Sequence, residues 1–140
     1  MVFSTSQPVV IGDRIVIGSS VRDLVYQHTP AGTTNAYDAR SCAQDWTFHI
    51  VPRDPADPAA ASWPENAGSA SGAANAWAPL SVDAHNGLVF VPTSSPSPDF
   101  YGGYRKGDNR YANSLVALDA QTGKPVWHYQ FVHHDLWDYD

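Results

Sequence analysis

The chain has 140 residues, 43% of them apolar, which is enough for one domain core. Eight Lys and Arg against fourteen Asp and Glu leave a net charge of −6, so a polyanion is repelled and nucleic acid is excluded as the expected partner. No stretch reaches the roughly 20 apolar residues that cross a bilayer as a helix, no signal-peptide pattern follows Met1, and the lone Cys42 rules out an internal disulfide without deciding the redox compartment. Either the protein is cytoplasmic, or anchor and address lie on a longer chain.

In chain order, "PVVIGDRIVIGSS" holds two β-branched runs, Val9 to Ile11 and Ile15 to Ile17, around a Gly12-Asp13 turn signal, and predicts a hairpin. The stretch 51–75 is rich in Pro, Ala, Gly and Ser without apolar periodicity, and predicts a surface loop or insertion. "LSVDAHNGLVFVPTS" predicts a second hairpin, with Asn86-Gly87 between Leu80 to Val82 and Leu88 to Val91. "SSPSPDFYGGYRKGDNRY" carries enough Gly, Pro and aromatic rings for an ordered loop near a site. No segment sustains a helical period.

"AYDARSCAQDW" (36–46) and "ALDAQTGKPVW" (117–127) repeat one pattern, A-x-D-A with Trp ten residues after the first Ala. In the second copy Asp119 is placed to bond the backbone of a Thr122-Gly123 turn; in the first, Ser41-Cys42 replaces Thr-Gly. The plain reading is two unrelated hairpins with coincidental tryptophans. The sharper one is a set of repeated antiparallel sheets, each docking its Trp (Trp46, Trp127) on the next, as in a β-propeller. Trp63 has no assignment on this pattern.

"SSVRD", "NAWAP" and "HHDLWD", in that order, together with the repeat, make the chain resemble the quinoprotein dehydrogenases that use pyrroloquinoline quinone (PQQ), most closely the membrane-bound glucose/quinate/shikimate branch. The resemblance covers nearly the whole chain and is weakest around 51–75. It implies an all-β fold in which residues 1–140 supply about two blades of an eight-bladed propeller, and hence a piece of a longer protein. It also implies a reaction: oxidation of a sugar or cyclic-polyol hydroxyl, with hydride passing to PQQ and electrons to a quinone. The branch works in the periplasm and associates with the membrane through regions outside this chain.

Such chemistry needs a base for the hydroxyl proton, an electrophilic carbonyl and a cation that polarises it. By resemblance Asp138 is the catalytic base, against the alternative of an exposed acidic loop residue. Trp77 is the indole on which the flat cofactor stacks. Asp23 is a ligand of a divalent cation, Ca²⁺ or Mg²⁺, against the alternatives of pairing with Arg22 or capping a turn. Ser97 is the second metal-binding residue, where alcohol-oxidising relatives carry Asn and where Ser94 and Ser95 stand nearby. Asp140 stands where lanthanide-using relatives have an extra acid, and is read as a feature of the branch. His133, His134 and Asp135 suggest zinc only superficially, because neighbouring side chains on a strand face opposite ways; they are expected on the rim of the site. The competing class is a non-enzymatic propeller scaffold, which needs the docking tryptophans but not Trp77 and the acids.

Overall fold

The computed structural model of the chain describes residues 2–4, 6–22, 28–67 and 71–138. The strands are, in order, β1 (Val2–Phe3), β2 (Val9–Ile11), β3 (Arg14–Gly18), β4 (Ser20–Val21), β5 (Thr33–Asp38), β6 (Gln44–His49), β7 (Ser81–Asp83), β8 (Leu88–Pro92), β9 (Ser114–Asp119) and β10 (Pro125–Gln130). They form two four-stranded antiparallel sheets, β2-β3-β5-β6 and β7-β8-β9-β10, with β1 and β4 pairing as a separate short ribbon. Two successive four-stranded meanders are the two blades expected of this chain.

Local chemistry explains both predicted hairpins. Ile11 pairs with Arg14, which leaves Gly12-Asp13 as a two-residue loop. In the second hairpin Asp83 pairs with Leu88, so the loop has the four residues 84–87 and is longer than Asn86-Gly87 alone. The Asp83 carboxylate shapes this loop: its Oδ1 accepts from the amides of His85 and Asn86 at 3.0 and 3.1 Å.

The repeated motif folds twice into the same turn. Asp38 Oδ1 accepts from the amides of Arg40 and Ser41 and from Ser41 Oγ; Asp119 Oδ1 accepts from the amides of Gln121 and Thr122 and from Thr122 Oγ1. Each turn is closed by a backbone bond, Cys42 N to Asp38 O at 2.9 Å and Gly123 N to Asp119 O at 2.8 Å. Cys42 therefore stands at the position of Gly123, and both take a left-handed φ, +59° and +69°.

The two sheets share one apolar core. Val16, Ala36 and Phe48 of the first meet Val89, Val91, Val116 and Leu118 of the second, all buried. Each fully buried Val or Leu contributes roughly 1.5–3 kcal/mol by leaving water. Tyr111 stands edge-on to the Phe48 ring at 5.4 Å and joins the same cluster.

The stretch 51–75 is irregular, as its composition predicts, and exposed at 54–56, 58, 61, 65 and 66, but the rest of its described residues are more deeply buried than a surface loop requires. It includes a single-turn helix, Ala60–Ser62, while Val51, Ala59, Trp63 and Ala67 enter the core cluster and 71–76 are buried. Small side chains are the reason. Without a bulky Cβ substituent the backbone of 71–76 lies flush against the first sheet, where Ala76 N donates to Ser19 O at 3.0 Å and Gly32 N to Ala73 O at 2.7 Å. A Cβ on Gly18 would collide with the Ala76 carbonyl oxygen. Trp63, unassigned on sequence, is 6% exposed and donates Nε1 to the Arg110 carbonyl at 3.2 Å, pinning this stretch to the segment before β9.

Candidate active-site cleft

A cleft of about 550 Å³ opens between the segment carrying Trp77, the wall formed by Thr93, Ser94 and Asn113, and the segment that follows β10. Trp77 is 45% exposed and opens into the cleft, unlike the buried Trp46 and Trp63; Trp127, read on sequence as a docking residue, is 43% exposed and lies against Phe90 of its own sheet, away from the cleft. An indole left open in a concave site offers a flat apolar face, whereas the buried ones serve packing.

Asn75 holds the floor. Its side-chain amide pairs with the Val21 backbone like a neighbouring strand, Oδ1 accepting from Val21 N at 2.7 Å and Nδ2 donating to Val21 O at 2.8 Å. Asn75 N also donates to Ser94 Oγ at 2.9 Å, and Ser94 N donates to Asn75 O at 2.9 Å. The residue two before Trp77 is thus tied both to the end of β4 and to the wall.

Asn113 ties the wall to the opposite side. Its Nδ2 donates to Ser95 Oγ at 2.8 Å, its N to Ser94 O at 3.2 Å, and its carbonyl accepts from Phe131 N at 2.9 Å. It does so from a left-handed φ of +47°, which Asn tolerates better than most residues. Its Oδ1 is buried with no hydrogen-bond partner among the described residues. Neither Asn75 nor Asn113 was assigned a role on sequence, although Asn75 belongs to the "NAWAP" motif and was available to be read.

The predicted site residues are distributed as follows. Trp77 lines the cleft. Asp138 is exposed, takes a left-handed φ of +60° and directly follows Trp137, which lines the cleft. Ser97 is fully buried in the wall segment beyond Ser94, and its amide donates to Gly72 O at 3.1 Å. Asp23 and Asp140 lie outside the described residues. His134 and Asp135 line the cleft, whereas His133 turns away to Asp108 at 3.5 Å and His134 Nε2 donates to the Gly107 carbonyl at 2.8 Å.

Behind the cleft stands Arg105, fully buried. Its guanidinium reaches Asn109 Oδ1 and the carbonyls of Asp99 and Asp135. Burial pushes its pKa down, and the carboxylates of Asp99 and Asp135 oppose that shift. Sequence offered no signal for it, because an Arg among Gly, Lys and Asp reads as solvent-exposed.

Comparison with known proteins assigns this architecture. The family model for the PQQ glucose/ethanol/alcohol dehydrogenase β-propeller domain matches residues 1–140. The chain is 41% identical to quinoprotein glucose dehydrogenase A of Acinetobacter calcoaceticus and 42% identical to a quinate/shikimate dehydrogenase (quinone) of Acinetobacter baylyi, in each case over 97% of this chain. It spans 17% and 16% of the length of those two relatives. The solved quinohemoprotein alcohol dehydrogenase of Comamonas testosteroni superposes with a TM-score of 0.81 at 32% identity, over 99% of this chain and 22% of that one. Two sheets locked together by Trp46, a cleft floored by an open indole, and a match along the full sequence lead to one conclusion: the chain belongs to the PQQ-dependent glucose/ethanol/alcohol dehydrogenase β-propeller family.

Proposed function

We propose that this chain forms part of the active-site wall of an oxidoreductase that oxidises a hydroxyl of a sugar or cyclic polyol, of the glucose, quinate or shikimate kind. PQQ is its redox cofactor and a quinone its electron acceptor. The observation that carries this reading is Trp77, whose open indole floors a cleft bounded by the segment that runs into Asp138.

The residues fit a flat ring with a polar rim. An indole face accommodates the plane, and the Asn and hydroxyl groups of the wall, including Asn113 Oδ1, which has no hydrogen-bond partner among the described residues, suit polar edges. When bound, PQQ supplies an electrophilic quinone carbonyl that accepts hydride. Asp138 takes the hydroxyl proton as the substrate C–H bond is broken, and Trp77 fixes the plane against which the substrate lies. Asp23 and Ser97 offer oxygen donors suited to a hard divalent cation, Ca²⁺ or Mg²⁺. The same reading puts the complete protein in the periplasm, with membrane association through regions outside this chain.

In the complete protein, Asp138→Asn is expected to lower turnover by roughly 10²–10⁴-fold while the PQQ absorbance change on reconstitution with Ca²⁺ persists. Turnover near the wild-type rate removes Asp138 as the base. A wild-type protein that gives no absorbance change with PQQ and Ca²⁺ favours the non-enzymatic scaffold instead.

A further inference from the structure

A guanidinium inside a protein is costly unless its charge and its donors are met, so a fully buried arginine calls for an explanation. Arg105 Nη2 donates to the carbonyls of Asp99 and Asp135 at 3.2 and 3.0 Å, and Nη1 donates to Asn109 Oδ1 at 3.2 Å. Asn109, also fully buried, returns Nδ2 to the Arg105 carbonyl at 2.7 Å. Arg105 is absent from the apolar core cluster and does not line the cleft. What it joins are two segments: 93–99, which forms the wall and contains Ser97, and 131–138, which ends in Asp138.

The link continues past the arginine. Asp135, whose carbonyl Arg105 grips, uses its own Oδ1 to accept from Trp137 N at 2.9 Å. The turn that presents Asp138 is therefore held at its base by one planar fork. A lysine could match the charge, but its three donors radiate from one nitrogen and cannot reproduce the two separated nitrogens from which Arg105 reaches Asn109 on one side and the two carbonyls on the other.

We propose that Arg105 is a positioning residue for Asp138, acting through the Asp135 carbonyl. The inference rests on the reading of Asp138 as the base. It assigns Arg105 no contact with substrate or cofactor, only control over where the carboxylate stands. A displacement of about 1 Å in a reacting group can cost 10²-fold in rate, which is the size of effect expected here.

The test uses the complete protein reconstituted with PQQ and Ca²⁺, with activity expressed per PQQ bound. Arg105→Lys is expected to lower kcat about 10²-fold while substrate KM and PQQ affinity change by less than about threefold. Amide hydrogen exchange is expected to rise in 131–138 and stay unchanged in β8 and β9. Should Arg105→Lys not fold, Asn109→Gly keeps the left-handed backbone but removes the acceptor of Nη1, and is expected to give the same confined rise in exchange with a smaller fall in kcat. Wild-type kcat, unchanged exchange in 131–138, or a rise spread through β8 and β9 overturns the proposal. The exchange measurement needs no turnover, so failure of the clamp appears there, whereas failure of the Asp138 assignment appears as retained activity in Asp138→Asn.

Discussion

Trp46 Nε1 donates to the Ala120 carbonyl at 3.1 Å, and the indole ring lies directly over Gly123. The edge strand of one blade is thereby locked onto the closing turn of the next, and the repeated motif supplies both halves of the contact: its tryptophan on one side, its aspartate-closed turn on the other.

Gly123 is the most constrained position in that lock. A Cβ there would stand 2.5 Å from Trp46 Cδ2, and its φ of +69° penalises any side chain. Gly123→Ala is expected to destabilise the protein by roughly 2–4 kcal/mol, read as a lower urea midpoint at constant slope. Cys42 stands at the equivalent turn with φ +59° and is exposed. Cys42→Gly is expected to stabilise by about 1 kcal/mol, so the two substitutions move the midpoint in opposite directions.

The turn aspartates impose a pH dependence. The Thr122 hydroxyl, followed by the Thr122 amide, holds the Asp119 carboxyl below the usual carboxylate range, and the Ser41 amide and hydroxyl do the same for Asp38. A carboxyl with a depressed folded-state pKa adds stability above its unfolded value, near 3.9, and that stability is lost as pH falls through the folded value. Asp119→Asn is expected to flatten the loss of stability below about pH 4, measured by urea unfolding across the acid range. An unchanged acid slope would remove Asp119 from the linkage.

Two tryptophans separate binding from packing. Trp77→Ala in the complete protein is expected to weaken PQQ binding at least about tenfold, because the stacking face is lost, with little change in melting temperature. Trp63→Ala removes a buried ring and its bond to Arg110, and is expected to cost about 3–5 kcal/mol of stability. Fluorescence titration with PQQ and thermal unfolding of the two variants distinguish the roles.

The isolated 140-residue chain is expected to be inactive and to associate. Trp127, Tyr129 and Phe131 alternate along and just beyond β10, the edge strand of the second sheet, and all three are exposed. An open strand edge beside an aromatic stripe invites pairing with other chains. Light scattering should find concentration-dependent species that shrink with Tyr129→Lys. A monodisperse, active preparation of the wild-type chain contradicts this.

Local features were legible in the sequence. The hairpins, the Asp119 turn and the docking role of Trp46 were read from residues a few positions apart, since an aspartate that bonds amides two and three residues ahead carries its own geometry, and the structure shows Asp38 closing the first copy in the same way. The 84–87 loop lies between the two predicted runs, and Asp83, at the end of the first strand, closes it. The burial of Val51, Ala59, Trp63, Ala67 and 71–76 was missed because composition rich in Pro and Ala describes a loop but not what the loop lies against.

Sequence by itself determined the blade repeat and the family, because each rests on short-range chemistry or on a motif, and the family resemblance named Asp23, Trp77, Ser97 and Asp138 as candidates. Tertiary structure alone decided which indoles are buried and that Trp77 opens into the cleft, and it alone revealed the Asn75 clamp on Val21 and the Arg105 grip on Asp135. Those bonds join groups 54 and 30 residues apart in the chain. A hydrogen bond depends on distance and angle in space, and at such separations only the packed sheets set either.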